Sequence, residues 1–226
     1  MNAQAGQQIN AVKIVGAGLI GTSIGLALAQ QGVSITIDDA DEKALALATD
    51  LLAPYLKASG EEKKEYDLVV IATPPASVLG TLKSEFVINP KSVFIDVSSV
   101  KTNLIQEIEV LPALSQSFVG THPMAGREVS GASSAQADLF NGRAWILTPT
   151  SKSSERAIAM AKQLIVALGA SSYEMTAKDH DHLMARISHL PQIASTLIAS
   201  EIQELGAGLE LSGQGLRDMT RIAGSD

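Results

Sequence analysis

The sequence predicts an α/β protein with a doubly wound, mainly parallel sheet, followed by an all-helical segment. Short apolar runs typical of buried strands alternate with helical segments as far as residue 175. A glycine-rich turn joins the first of these runs to the first helix, and strand patterns stop at Thr176. We therefore predict one domain over residues 1–175 and a helical domain over residues 176–226.

The first strand–turn–helix unit carries the most specific pattern in the chain. Val12–Val15 is a short, mostly β-branched run, and Gly16, Gly18 and Gly21 follow it with G-x-G-x-x-G spacing before a helix over Leu19–Gln30. The first glycine permits a tight turn, the second lets backbone approach a pyrophosphate, and the third lets the helix pack against the strand. The free N–H groups of the helix start would face the phosphates. This spacing predicts a Rossmann-like dinucleotide site.

The second strand, predicted over Val33–Ile37, ends in two acids, Asp38 and Asp39. A carboxylate at this position suits the ribose hydroxyls of NAD and repels the additional phosphate of NADP. Counting from Gly32 favours Asp39 as the ribose ligand, with Asp38 as the alternative. The sequence therefore predicts NAD rather than NADP.

Further strands are predicted at Leu68–Ala72, Ser92–Val97, Ala144–Leu147 and Ser171–Met175, with a strand end near Phe118. Helices are predicted at Asp41–Thr49, Ser77–Ser84, Thr102–Val110 and Ser154–Leu168, the first capped by Asp41 and the third by Thr102. The carboxyl ends of parallel strands share one edge of a sheet, so the turns that follow them should form one crevice. The expected cofactor residues are Gly16, Gly18, Leu19, Ile20, Gly21, Asp39, Thr73, Pro74 and Ser98.

Composition excludes several classes of function. The chain has 226 residues, 46% of them hydrophobic, with a net charge of −7 and no cysteine. The acidic balance argues against a nucleic-acid partner, and the lack of cysteine removes disulfides and thiolate metal sites. The uncharged run Ile14–Ile37 contains five glycines, and its pattern changes from strand to helix and back to strand. We therefore do not interpret it as a membrane span. We expect a cytoplasmic protein with no membrane partner and no metal.

The four histidines, His122, His180, His182 and His189, all follow the nucleotide-binding half. His122 lies after a predicted strand end, in a loop rich in glycine. A histidine there can accept a proton from a hydroxyl while hydride leaves the same carbon, as an NAD-dependent oxidation requires. A loop histidine that bonds only backbone is an equal alternative.

The helical segment carries polar residues at helical spacing. We predict a helical run over Asp179–Leu205, kinked at Pro191 and broken by Gly206 and Gly208. It places Asp181, Ser188 and Gln192 on one stripe beside His189. That stripe faces either a ligand cleft or solvent. A shorter helix over Leu216–Ala223 carries Arg217 and Arg221 one turn apart, which fits either a carboxylate site or a charged surface.

Five motifs in order resemble those of the prephenate and arogenate dehydrogenases of tyrosine biosynthesis. They are G-A-G-L-I-G-T-S-I-G, D-V-S-S-V-K, G-T-H-P-M-A-G-R-E, H-D-H-L-M-A-R-I-S-H-L-P-Q and R-D-M-T-R-I-A. The resemblance implies oxidation of a cyclohexadiene hydroxyl with NAD(P) and loss of carbon dioxide. It also implies a small anionic substrate, prephenate or arogenate.

The resemblance implies roles for individual residues. His122 would bond the ring hydroxyl and help remove its proton, and Ser99 would hold the same hydroxyl and position His122. Arg221 would bind a substrate carboxylate. Ser188 and His189 would line the pocket with Asp181 and Gln192 nearby, Glu128 would shape the entrance, and Arg127, Gln192 and Arg217 would touch the substrate side chain.

The family usually continues with several more helices that build a homodimer, whereas this sequence ends at Ser225-Asp226. We therefore expect a homodimer through the helical domain and an incomplete domain in this chain. Two other interpretations remain open. One is a different Rossmann hydroxy-acid dehydrogenase, although Lys178 is the sole lysine after Lys162 and lies at the helix start. The other is a non-catalytic NAD-binding module.

Overall fold

A seven-stranded sheet forms the centre of the computed structural model, which describes residues 8–56, 65–126, 129, 131–202 and 209–224. The strands are β1 Ala11–Val15, β2 Ser34–Asp38, β3 Leu68–Ile71, β4 Val93–Asp96, β5 Phe118–Pro123, β6 Ala144–Pro149 and β7 Ser171–Glu174. Their order in the sheet is β2-β1-β3-β4-β5-β6-β7. Neighbouring strands are parallel except for β5 and β6, which are antiparallel. The predicted mainly parallel, Rossmann-like class is confirmed.

Helices connect the strands and form the end of the chain. They are α1 Leu19–Gln30, α2 Glu42–Leu52, α3 Pro75–Ile88, α4 Thr102–Glu109, α5 Pro112–Ser117, α6 Glu155–Ala167, α7 Ala177–Met184, α8 Leu190–Ile202 and α9 Gln214–Thr220. Asp41 caps α2 as predicted, since its carboxylate accepts the N–H groups of Lys43 and Ala44. α3 starts earlier than predicted because Pro75 is favoured in a first helical turn. The short helix α5 was not predicted.

Two of the three glycines in the turn after β1 are required by the fold itself. Gly16 has φ +116°, and a Cβ there would lie 2.4 Å from the carbonyl oxygen of Ala72. A Cβ at Gly21 would lie 2.0 Å from the carbonyl oxygen of Gly16. The turn therefore packs directly against the end of β3, and α1 packs directly on the turn.

The central strands are buried on both faces. In β3, Leu68 and Val70 belong to the core beneath α1 and α6, whereas Val69 and Ile71 belong to the core beneath α3 and α4. Alternate residues of a strand point to opposite faces, so both faces must be apolar. This arrangement explains why these strands are continuous apolar runs in the sequence.

The helical segment begins by packing on the sheet and then becomes more exposed. His180 and Met184 of α7 are buried, at 0% and 1% exposure. A π-helical turn, Ala185–His189, separates α7 from α8 immediately before Pro191, where the sequence predicted a kink. Large apolar side chains of α8, among them Leu190 and Leu197, are exposed. Gly206 and Gly208, predicted to break this run, lie outside the described residues. Among those that are described, no helix is long and apolar enough to cross a membrane.

Candidate active site

The glycine turn and the start of α1 form one side of a crevice at the carboxyl edge of the sheet. No side chain caps α1, whose N-cap residue is Gly18. A Cβ added at Gly18 would meet none of the described atoms within 4 Å beyond its neighbours in the chain, so the surface in front of the helix start is open there. Leu19 and Ile20 contribute the first two N–H groups of the helix. Uncapped N–H groups and the helix dipole favour a bound anion.

The two acids at the end of β2, Asp38 within the strand and Asp39 after it, occupy different positions. The Asp39 carboxylate accepts the N–H groups of Ala17, at 2.6 Å, and Asp41, at 2.8 Å, which holds it against the glycine turn. The Asp38 side chain is 56% exposed and lies 4.0 Å from Lys13 Nζ. This geometry favours Asp39 over Asp38 as the acid that faces a bound nucleotide.

Thr73 and Pro74 continue the crevice beyond β3. The backbone of Thr73 lies against the glycine turn, because a Cβ at Gly16 would be 3.0 Å from its nitrogen. Thr73 Oγ1 is buried without a hydrogen-bond partner in the described part of the chain. Pro74 is the residue before α3. An unpartnered buried hydroxyl at this edge is consistent with a ligand that supplies the missing hydrogen bond.

A buried ion pair holds the segment after β4. The Nζ of Lys101 pairs with Asp96, and both side chains are fully buried. Asp96 also accepts the N–H of Ser98 at 3.0 Å, the hydroxyl of Ser98, and the N–H of Thr121 at 3.2 Å. Burial lowers the pKa of Lys101, and the charge of Asp96 opposes this shift. Both the hydroxyl and the N–H group of Ser98 are thus committed to Asp96.

A cavity of about 450 Å³ opens beside this segment, between the starts of α3 and α4. Its lining includes Pro75, Ser98, Val100, Asn103 and Asp181. The carboxyl edge of the sheet therefore has room for part of a small ligand.

His122 lies within β5, not in a loop after a strand as predicted, and it belongs to a chain of three polar side chains. Its Nδ1 is 2.9 Å from Nε2 of His180, and Nδ1 of His180 is 2.7 Å from Oδ1 of Asp181. Burial is the main cause that lowers the pKa of His122 to about 3, and the charges of Lys101, His180 and His189 act in the same direction. Burial also lowers the pKa of His180. His122 is therefore a neutral base at physiological pH.

Asp181 also caps α4, a role that the sequence assigned to Thr102. The N-cap residue of α4 is Lys101, whose side chain makes no cap, and Thr102 is the first helical residue. The Asp181 carboxylate accepts the N–H of Lys101 at 3.0 Å and the N–H of Thr102 at 2.8 Å. Burial raises the pKa of Asp181, but hydrogen bonds from Thr102, His180 and Lys101 outweigh it and lower that pKa to about 2. Both carboxylate oxygens are thus bonded to protein groups.

The other predicted site residues differ in exposure and in their contacts. Ser99 is exposed and makes no hydrogen bond to His122 in the described structure. Ser188 and His189 lie exposed on the π-helical turn, and His189 is close enough to His122 to influence its pKa. Arg217 and Arg221 are both exposed. Arg127 and Glu128 lie outside the described residues.

Gln192 ties α8 to the short 3₁₀ turn Arg221–Gly224. Its Nε2 donates to the carbonyl oxygen of Ile222 at 2.7 Å. Its amide therefore holds the segment that begins with Arg221.

Sequence reasoning did not identify three polar residues of this centre, Asp96, Lys101 and His180. A signal for His180 exists in the sequence, because His180 and Met184 are four residues apart and so lie on one face of a helix. For Lys101 the signal is its place, with Asp96, at the two ends of the motif D-V-S-S-V-K, because a lysine before a helix is otherwise normally solvated.

Comparison with known proteins identifies the family of this chain. Residues 24–174 match the family model of the prephenate dehydrogenase nucleotide-binding domain, and residues 176–226 match that of the prephenate dehydrogenase dimerization domain. The chain belongs to the prephenate dehydrogenase family.

Curated members of the prephenate dehydrogenase family align along almost the whole chain. It is 36% identical to a probable prephenate dehydrogenase, NovF, of Streptomyces niveus, over 94% of this chain and 58% of that protein. It is 33% identical to prephenate dehydrogenase of Bacillus subtilis, over 97% of this chain and 62% of that protein. The chain thus spans about three fifths of the length of these relatives.

Solved structures of the prephenate dehydrogenase family share the fold. The Aquifex aeolicus enzyme in complex with hydroxyphenyl propionate and NAD+ superposes with a TM-score of 0.83 and 27% identity, covering 97% of this chain and 80% of that one. Synechocystis arogenate dehydrogenase gives a TM-score of 0.74 at 27% identity, covering 96% and 80%.

Proposed function

We propose that the protein oxidises prephenate or arogenate with NAD in tyrosine biosynthesis. The observation that carries the proposal is His122, a half-buried neutral base at the carboxyl edge of a nucleotide-binding sheet, in a chain of the prephenate dehydrogenase family. The complex of the Aquifex aeolicus relative with NAD+ supports the choice of cofactor.

The crevice fits a dinucleotide. Gly18 and the uncapped start of α1 would hold the pyrophosphate, Asp39 would bond the adenosine ribose, and Thr73, Pro74 and the backbone of Ser98 would line the rest. Bound NAD supplies the hydride acceptor.

The substrate would lie between this crevice and the helical domain, whose boundary we place at residue 176. A dianion needs local cations because the protein as a whole is acidic, and Arg221 with Arg217 can supply them. Ser188, His189 and Gln192 would complete the pocket, with Arg127 and Glu128 beside it. We further propose a cytoplasmic homodimer formed through the helical domain, which the match to a dimerization-domain model supports.

His122 would handle one proton during the reaction. As hydride leaves the ring carbon, His122 accepts the proton of the hydroxyl on that carbon, and Ser99 holds the same oxygen. Loss of the ring carboxylate as carbon dioxide leaves its electron pair to complete the aromatic ring. His122 then returns the proton to the phenolic oxygen, so no proton is released overall. Aromatisation supplies driving force, and the side chains mainly orient the reactants.

The proposal is tested by initial rates of the full-length protein with prephenate and with arogenate, each with NAD and with NADP. Reduced nicotinamide is followed by absorbance. We expect turnover with NAD and at least one of the two dienes, with one carbon dioxide released per reduced nicotinamide. Saturable NAD binding without turnover of either diene would overturn the proposed reaction.

Replacing Asp39 with serine should relax the preference for NAD. The carboxylate at this position binds ribose hydroxyls and repels a 2′-phosphate, so its loss weakens NAD binding and admits NADP. We expect the ratio of kcat/KM for NAD to that for NADP to fall about tenfold or more, equivalent to about 1.4 kcal/mol. Asp38→Ser is the matched control, because Asp38 faces Lys13 and should leave the ratio unchanged. A preference for NADP in the unaltered protein would contradict the assignment.

Replacing Gly18 with alanine should weaken cofactor binding without harming the fold. Gly18 has extended backbone, φ −79° and ψ −169°, which alanine adopts freely, and the added methyl group would meet no described residue beyond its chain neighbours. That methyl group would separate the backbone from a pyrophosphate. We expect the Kd for NAD, measured by calorimetry, to rise about tenfold, while Tm stays within a few degrees. Gly80→Ala, equally free of contacts, is the control. An unchanged Kd would mean that NAD does not approach this turn.

A further inference from the structure

We propose that His180 and Asp181 are positioning residues that set which nitrogen of His122 is basic. The inference rests on the proposed function, because it assigns the proton-accepting atom of that reaction to Nε2 of His122. It is carried by the hydrogen-bonded chain from Asp181 through His180 to His122, in which the two distances are 2.7 and 2.9 Å.

The carboxylate of Asp181 determines which atom donates in each of these two hydrogen bonds. An ionised carboxylate only accepts hydrogen bonds, so Nδ1 of His180 must carry a proton toward Asp181. In neutral His180, Nε2 is then an acceptor, and Nδ1 of His122 must donate to it. Neutral His122 therefore carries its proton on Nδ1 and its lone pair on Nε2. The opposite arrangement would place a lone pair of His180 against the carboxylate of Asp181.

Packing and hydrogen bonds hold the pair in place. The side chain of His180 is fully buried, and its ring lies edge-on to that of His122, with centroids 5.1 Å apart and planes at 66°. Asp181 is anchored by the N–H groups of Lys101 and Thr102 at the start of α4. Neither ring can rotate without breaking a bond to the other or to the carboxylate. The segment from β4 to α4 and helix α7 thus orient His122 together.

Among the described residues, four charged or titratable groups from the surrounding elements are close enough to His122 to affect its pKa. They are Lys101 from the segment before α4, His180 and Asp181 from α7, and His189 from the π-helical turn. Of these, only His180 is described in hydrogen-bond contact with the His122 ring. It is therefore the group whose replacement should change the tautomer.

The assignment is tested first on the unaltered full-length protein by ¹⁵N NMR of the histidine rings, without substrate. We expect His122 to show a protonated Nδ1 and an unprotonated Nε2 at neutral pH. A protonated Nε2 in this spectrum would overturn the inference, whether or not the protein turns over either diene. Absence of turnover with the expected spectrum would instead count against the proposed function alone.

Two variants then test the link to the reaction. His180→Leu removes the acceptor, so His122 should populate both tautomers, and kcat should fall about 10²-fold with KM changed by less than about threefold. His180→Gln keeps an amide oxygen that can accept from His122, so it should restore the single tautomer and most of kcat. His182→Leu, an exposed histidine on the same helix, is the matched control and should behave as the unaltered protein. Equal kcat and equal spectra for the His180→Leu and His180→Gln variants would overturn the positioning role.

Discussion

Replacing His122 with glutamine is expected to lower kcat by about 10²–10⁴-fold, the usual contribution of a positioned general base. Glutamine can still bond His180, so the packing around α7 should survive, but an amide cannot accept a proton. KM should change far less than kcat, because substrate carboxylates are held by other groups in the proposed site. The measurement is steady-state kinetics on the full-length protein, with His182→Gln as the exposed control. A variant that keeps more than a tenth of the original kcat would show that another group accepts the proton.

The lowered pKa of His122 also predicts how the free energy of unfolding depends on pH. Because that pKa is lowered to about 3, the folded protein keeps His122 neutral where an unfolded chain, with a pKa near 6.5, would protonate it. The unfolded state then binds more protons, so this residue's stabilising contribution is complete above pH 6.5 and declines as the pH falls toward 3. His122→Gln should flatten the fall in the free energy of unfolding over this range, measured by urea titration at several pH values. An unchanged slope would contradict the depressed pKa.

Replacing Lys101 with methionine is expected to lower the free energy of unfolding by about 3–5 kcal/mol, the largest effect on stability that we predict. Methionine fills similar volume, but it leaves the Asp96 carboxylate buried without its counter-ion. The hydrogen bonds from Ser98 and Thr121 would remain and relieve only part of this penalty. The measurement is urea unfolding followed by circular dichroism.

A second variant shows whether the loss arises from the ion pair. Asp96→Asn with Lys101→Met removes both charges, so the double variant should be clearly more stable than the sum of the two single changes predicts. Lys91→Met is the matched control, because Lys91 and its partner Glu65 are exposed, with side-chain exposures of 81% and 73%. Its loss should have little effect on the free energy of unfolding. Additive effects of the two buried changes would mean that Lys101 and Asp96 do not interact.

Local sequence determined the framework of this protein. Gly21 is required because a Cβ there would clash with the backbone of Gly16, and Gly16 is required because a Cβ there would clash with the backbone after β3. The spacing of the two glycines therefore predicts the turn directly. The central strands are buried on both faces, so consecutive residues of each strand are apolar. The sequence shows these strands directly as continuous apolar runs. The acid after β2 and the histidine near the end of β5 follow from the same rule, because parallel strands deliver their carboxyl ends to one edge.

Only the tertiary structure decided what His122 contacts and what keeps it neutral. His122 and His180 are 58 residues apart, and Asp181 reaches the start of α4 across 80 residues. Periodicity assigns each of these residues to a face of its own element, but it does not say which faces meet. Lys101 illustrates the limit, since lysine side chains are normally solvated and this one is fully buried against Asp96. The physical reason is that burial and hydrogen-bond partners, which set these protonation states, exist only once α7 has docked on the sheet.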